Sequence, residues 1–251
     1  MNDLSVIVIT HNRLEKLKRC LDSIKKALPS ADLIVVDNGS TDGTREYLRS
    51  LPGIENIRLE SNAGVAKARN AGVGKAQGKY IMFLDDDAWI AELDMKAILD
   101  FFAQHPDTGM IAPRILYPDG RIQESVRAFP TLKAIFWRGS GLYKLSPNAS
   151  FYKRYVSFNG ASIHPVDWAI GACQMIKRAV FDDVGLLDEH YHFGYEDTDM
   201  CRRMKRSGYK VIYWPDAVVY HEYARKSAKI FSAHFFSHSY SVIRFFFGHG
   251  I

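Results

Sequence analysis

The chain has 251 residues, 47% of them hydrophobic and 24% charged, which supports one large folded domain or two small ones and excludes a disordered or collagen-like chain. A net charge of +5 and a pI near 9.0 admit phosphorylated ligands, nucleic acid or acidic lipid as partners, although such an excess also serves solubility alone. Cys20, Cys173 and Cys201 are scattered, with no CxxC pair, which argues against a disulfide framework or a Cys-based zinc site and fits a reducing cytoplasm.

Leu4 to Ile9 is an apolar, β-branched run that reads as a buried strand. Its Val6–Ile9 core is too short for a signal peptide. No apolar stretch approaches the ~18 residues that span a bilayer, so a soluble or peripheral protein is expected. Leu14, Leu17, Leu21, Ile24 and Leu28 recur at helical spacing; Asn12 and Glu15 resemble a capping box, and Pro29 closes the helix. Leu33 to Val36 reads as a second buried strand ending at Asp37, followed by the turn-rich Asn38-Gly39-Ser40-Thr41-Asp42-Gly43 and a short helix around Arg45 to Leu51. Ile57 to Leu59 is a weak strand, Ala63 to Ala76 a small-residue helix, and Tyr80 to Leu84 a third strong strand.

This alternation predicts an α/β fold: a Rossmann-like, mainly parallel sheet flanked by helices, with ligands beyond the carboxyl ends of its strands. Polar clusters stand at three such ends: Thr10-His11-Asn12, Asp37-Asn38 and Asp85-Asp86-Asp87. Asp119 to Val166, rich in Gly, Pro, Ser and aromatics, carries no assignable pattern. Helices are expected at Arg178–Val184 and Asp197–Ser207, the latter ended by Gly208, with short strands at Val211–Trp214 and Ala217–Tyr220.

Strand alternation lets Asp85 and Asp87 face one side, where three adjacent carboxylates repel unless a cation or proton relieves them. Hard oxygen ligands suit Mg²⁺ or Mn²⁺ with substrate phosphates completing the shell; the alternative is a solvated acidic turn. An EF-hand fails on glycine and glutamate spacing. A P-loop fails because Arg69 and Ala76 stand where Gly and Ser/Thr are required, and a dinucleotide fingerprint fails at Gln77. Asp37 either forms a turn or accepts hydrogen bonds from a nucleobase or ribose. Glu196-Asp197-Thr198-Asp199 opens a helix, where acids suit the dipole, yet three in four residues also offer a general base. His221 is open between metal ligand, base and surface residue.

Taken in order, these segments resemble the family-2 glycosyltransferases of GT-A fold. The likeness is carried by Val6-Ile7-Val8-Ile9-Thr10-His11-Asn12-Arg13, Val35-Val36-Asp37-Asn38-Gly39-Ser40-Thr41-Asp42-Gly43-Thr44, Asn62-Ala63-Gly64, Ala68-Arg69-Asn70-Ala71-Gly72, Phe83-Leu84-Asp85-Asp86-Asp87, Val166-Asp167-Trp168-Ala169-Ile170-Gly171-Ala172 and Gly194-Tyr195-Glu196-Asp197-Thr198-Asp199-Met200-Cys201-Arg202-Arg203. The later segments are most similar to rhamnosyltransferase-like enzymes of bacterial cell-surface glycans. The resemblance implies a single domain over 1–230, with a nucleotide-sugar-binding half at 1–112 and an acceptor and catalytic-base half at 113–230. It implies donor contacts from Thr10, Asn12, Asp37, Arg69, Asp85 and Asp86, and a Mg²⁺ or Mn²⁺ site of Asp85, Asp87 and His221. Asp197 is the implied base, with Glu196 beside it, and Trp168 and Asp167 line the acceptor pocket. His192-Phe193-Gly194-Tyr195 departs from the bulkier run of relatives.

The expected reaction is inverting transfer from a dTDP- or UDP-sugar, rhamnose foremost, to a hydroxyl of a glycan or polyprenyl-diphosphate-linked acceptor. A nucleotidyltransferase would need a Gly-rich basic loop near the first strand, and a non-catalytic sugar-nucleotide binder would not need the acids at 196–199. No nucleic-acid motif is present. The tail 231–251, with Phe235-Phe236, Phe245-Phe246-Phe247 and nearby Lys205, Arg206, Arg225, Lys226 and Lys229, is open between a packed helix and a surface on anionic lipid at the inner face of the cell membrane.

Overall fold

The computed structural model describes residues 3–146, 149–152, 160–191, 194–222 and 239–248. The strands and α-helices bounded within the described residues follow in chain order. They are β1 (Leu4–Thr10), α1 (Leu14–Ala27), β2 (Asp32–Asn38), α2 (Thr44–Arg49), β3 (Glu55–Leu59), α3 (Val65–Lys75), β4 (Tyr80–Asp85), β5 (Ala88–Glu92), α4 (Met95–Gln104), β6 (Thr108–Leu116), β7 (Val126–Arg127), α5 (Leu132–Gly139), β8 (His164–Val166), β9 (Trp168–Ala169), β10 (Cys173–Lys177), α6 (Arg178–Val184), α7 (Glu196–Arg206) and β11 (Lys210–His221).

Nine strands form one sheet in the order β3-β2-β1-β4-β10-β6-β11-β5, with β8 also paired to β11. β3, β2, β1 and β4 are parallel, as the alternating pattern predicts. β10 inverts the direction, lying antiparallel to both β4 and β6. β6 and β11 then run together, while β5 and β8 run against β11. The carboxyl ends of β1, β2, β4 and β11 therefore share one edge with the amino end of β10, and every ligand-bearing residue considered below stands on or beside it. β6 spans the expected division at 112/113, and the inserted β10 binds the later half of the chain into the sheet of the first.

Both faces of the sheet are apolar and covered by helices. α1 buries Leu17, Cys20, Leu21 and Ile24 against Val6, Val8, Leu33 and Val35; such side chains contribute roughly 1.5–3 kcal/mol each. α3 packs on the other face with Ile7, Ile34 and Val36. Its small residues have a steric cause: a Cβ on Gly72 would lie 2.5 Å from Ile7 Cγ2.

Several local expectations are corrected. Asn12 does not cap α1: Arg13 is the N-cap residue, with no side-chain cap bond. Asn12 instead takes the left-handed backbone conformation (φ 53°), which asparagine tolerates, and its Oδ1 accepts from Thr41 N at 2.7 Å. The two short strands expected after Lys210 form one, β11, whose register shifts between Trp214 and Val218, around Pro215, a residue with no N–H for the ladder. In the described part of the tail, Arg202 donates to the Phe245 carbonyl at 2.7 Å and stacks 4.0 Å above its ring, and Phe245 is buried, whereas Tyr240, Ile243 and Phe247 are exposed. Phe235, Phe236, Arg225, Lys226, Lys229, His192 and Phe193 lie outside the described residues. Among the described residues no helix is long and apolar enough to cross a membrane.

Candidate active site

Asp85 is the last residue of β4, and Asp86 and Asp87 turn the chain into β5. This turn sends the three carboxylates different ways. Asp86 points back into the protein, accepting from Thr10 Oγ1 at 2.8 Å and Arg13 Nη1 at 2.9 Å. Burial pushes its pKa up to about 6, against the opposing pull of Arg13 and Thr10. Asp87 gives Oδ2 to Arg13 at 2.8 Å and Oδ1 to the His221 side, 3.3 Å from Nε2. Burial alone would raise the Asp87 pKa; His221, Arg13 and Lys16 outweigh it and hold the acid below its ordinary value.

His221 ends β11 beside this turn, clipped there by Glu222 N donating to the Asp87 carbonyl at 2.9 Å. The other ring nitrogen, Nδ1, is 2.8 Å from the buried Gln123 Oε1. That contact suits Nδ1–H as the donor and fixes the ring so that Nε2 faces the acids. Ligand atoms of Asp85, Asp87 and His221 all lie within 4.8 Å of one another. Two carboxylates and an oriented imidazole fit a divalent cation with room for outer ligands.

Arg69 joins this cluster to the second acidic group. It is buried on α3, and its Nη2 donates to Asp85 Oδ1 at 2.8 Å and to the Gly171 carbonyl at 2.7 Å. Its Nη1 is 3.7 Å from Glu196 Oε1. Gly171 N–H in turn donates to Asp197 Oδ2 at 3.0 Å, while Asp197 Oδ1 accepts from Thr198 N at 2.6 Å. Glu196 and Asp197 thus open α7 within reach of the Asp85 side of the cleft. Burial, reinforced by its Asp197 neighbour, pushes the Glu196 pKa up to about 8. Burial also raises Asp197, opposed by Arg69 and the two backbone donors.

The remaining expected residues are placed as follows. Asp37 Oδ1 accepts from Ser40 N at 2.8 Å, the turn role; its buried Oδ2 has no hydrogen-bond partner among the described residues, and Arg58 lies 3.7 Å away. Thr10 is buried against Asp86, and the exposed Asn12 is held to the 38–43 turn. Trp168 is buried, its Nε1 donating to the Ala128 carbonyl at 2.8 Å. Asp167 accepts from Phe129 N and from Lys205. Arg13, Gln123 and Gly171 belong to the site yet carried no individual assignment. Arg13 and Gly171 lie within quoted motifs; Gln123 sits in the unassigned stretch, marked only by the Pro118-Asp119-Gly120 turn before it.

The profile described as "Glycosyl transferase family 2" matches residues 5–185. The chain belongs to this family. A Mycobacterium tuberculosis protein named N-acetylglucosaminyl-diphospho-decaprenol L-rhamnosyltransferase is 29% identical over 96% of this chain and 83% of its own length. The low-salt glycan biosynthesis hexosyltransferase Agl10 of Haloferax volcanii is 27% identical over 84% of this chain and 64% of its own. Among solved structures, GalNAc-T7 with UDP, GalNAc and Mn²⁺ superposes with a TM-score of 0.68 at 19% identity, covering 96% of this chain and 48% of that one. S. aureus TarS 1–349 in complex with UDP gives 0.58 at 20% identity, covering 88% and 60%. These likenesses establish the GT-A fold of this family-2 glycosyltransferase.

Proposed function

We propose that this family-2 glycosyltransferase moves a sugar from a dTDP- or UDP-linked donor to an acceptor hydroxyl with inversion, in cell-surface glycan synthesis. The observation that carries this reading is the buried Arg69, which touches Asp85 on one side and faces Glu196 beside Asp197 on the other. Arg69 thereby brings the metal-ligand candidates and the second acidic group together.

Asp85, Asp87 and His221 would hold Mn²⁺ or Mg²⁺; the mixed oxygen and imidazole set favours Mn²⁺. The cation's chemistry, when bound, is to stabilise charge on the departing nucleoside diphosphate. Asp37, whose Oδ2 has no hydrogen-bond partner among the described residues, would receive a nucleobase or ribose donor, and Arg69 would keep Asp85 oriented. Arg13 fixes the Asp86–Asp87 turn, and Thr10 and Asn12 act through that turn and the adjacent loop. Asp197 would take the acceptor proton: its Oδ2 is aimed by the Gly171 N–H, and burial raises its basicity. A base on the face opposite the leaving group gives inversion without a covalent intermediate. Trp168 and Asp167 would shape the acceptor side from behind.

A lipid-linked acceptor and a rhamnosyl donor are favoured by the mycobacterial relative, whose name states both a diphospho-decaprenol acceptor and rhamnosyl transfer. Such an acceptor calls for a peripheral protein at the cytoplasmic face of a membrane. The test is Asp197→Asn with a dTDP- or UDP-sugar and Mn²⁺. Transfer should fall at least ~10²-fold while donor affinity stays within about twofold. Undiminished turnover removes Asp197 as base. A wild-type protein that binds donor yet never releases nucleoside diphosphate is a binding protein instead.

A further inference from the structure

The geometry points to the α5 face, centred on Leu132, Phe136 and Leu145, as the surface by which this protein docks on an anionic lipid bilayer. This deepens the membrane part of the reading above and is independent of donor, metal and base.

α5 begins at the Thr131 cap, whose side chain accepts from Ala134 N, and it buries only Ala134. That residue belongs to a small cluster with Tyr152, separate from both faces of the main sheet. The opposite side of the helix is left to solvent. Leu132 is 52% exposed and Phe136, one turn on, 69%; Leu145, after the next turn, is 84% exposed. Exposed apolar residues standing singly are ordinary, but Leu132 and Phe136 share one face of α5, and exposed Leu145 follows on the same short segment.

The charge around the patch selects its partner. Asp and Glu make up 28 of 251 residues, about one in nine, yet none occurs from Ser125 through Val166. The same stretch holds Arg127, Lys133, Arg138, Lys144, Lys153 and Arg154. Lys133 and Lys144 are exposed beside the apolar residues, and neither they nor Arg138 form an ion pair with a described carboxylate. Exposed apolar side chains on a segment whose only charged residues are cations match the interface of an anionic bilayer, where alkyl and aromatic groups enter the acyl boundary and cations meet phosphates. A second copy of this chain would bring like charges together. Nucleic acid would use the cations but leave Leu132 and Leu145 without a partner.

The position also suits a membrane-borne acceptor. The ribbon β7–β9 pairs Arg127 with Trp168 just before α5 begins, and Gly171, which orients Asp197, lies two residues past β9. The docking face is therefore joined by a short path to the base side of the cleft.

The experiment is co-flotation of the full chain with mixed phosphatidylglycerol–phosphatidylcholine vesicles and with pure phosphatidylcholine vesicles. Each cation near the surface is worth roughly fivefold, so Lys133, Arg138 and Lys144 together should favour the anionic vesicles by about 100-fold, declining steeply as salt rises. Phe136→Glu with Leu145→Glu should abolish flotation while Mn²⁺-dependent nucleotide binding and the melting temperature hold. Lys133→Glu with Lys144→Glu, at exposed positions, provides the same test should the first pair unfold. Failure of the wild type to float, equal binding to neutral vesicles, or undiminished binding by either folded pair would overturn the assignment. So would a wild-type dimer that the Phe136→Glu, Leu145→Glu protein loses, since the patch would then be a protein interface. None of these outcomes alters nucleoside diphosphate release from donor in solution, which tests the transferase reading separately.

Discussion

Replacing Glu196 by Gln should stabilise the protein, by an amount that grows as pH rises above about 4.5. Glu196 is buried, its Oε2 has no hydrogen-bond partner among the described residues, and the nearest cation atom, Arg69 Nη1, is 3.7 Å from Oε1. In the folded chain it keeps its proton up to about 8, whereas in the unfolded chain it loses it near its ordinary 4.5. Between these values the native state binds more protons than the unfolded one, so stability falls as pH rises, by about 1.4 kcal/mol per pH unit for a full proton. Above about 8 the loss is complete; below 4.5 both states are protonated and the acid costs nothing. The total is on the order of 2–5 kcal/mol. Glu196→Gln keeps the volume and removes the titration. Its melting temperature in EDTA should match wild type near pH 4 and exceed it by roughly 5–10 °C near pH 8.5. A gain already present at acid pH, or none at alkaline pH, refutes the argument.

Four further outcomes follow from the same contacts. Asp197→Asn should lose transfer and keep donor binding, read by product formation against calorimetric donor affinity. His221→Ala and Asp87→Ala should each weaken Mn²⁺ binding at least ~10-fold, and EDTA should abolish transfer; donor affinity indifferent to metal contradicts the site. Gln123→Met should weaken Mn²⁺ by about 10–100-fold by electron paramagnetic resonance titration, while Gln123→Glu, which still accepts from His221 Nδ1–H, should retain most affinity; identical affinities in the two variants would show that Gln123 does not orient the ring. Gly72→Ala, with its Cβ driven into Ile7, should destabilise by about 1–3 kcal/mol in urea, and an unchanged midpoint would mean α3 shifts freely.

The parallel half of the sheet was legible because β1, β2 and β4 are buried on both faces and therefore read as continuous apolar runs. β6, β10 and β5 were not. β6 mixes Gly109 and Pro113 into its run, and β10 is five residues long and carries Gln174 and Lys177. β5 starts directly after the acidic turn, and nothing local announces that the direction of the sheet reverses there. The acids of the site stood out because carboxylates at strand ends are conspicuous in a βα pattern. Their partners did not: Gln123 reaches His221 across 98 residues and Arg69 reaches Gly171 across 102, separations that no short-range spacing encodes. Asn12 shows the opposite failure, since a good capping residue was diverted by a tertiary bond to Thr41.

Gly171 uses both halves of one peptide residue: its carbonyl accepts from Arg69 and its N–H donates to Asp197, the proposed base. A side chain there would intrude on the Arg69 guanidinium, so a change at this one position would disturb cation and acid together. Grafting the acceptor half of another enzyme onto this one would accordingly keep its chemistry only where the incoming loop offers a bare backbone at that point, whatever sugar pocket it brings.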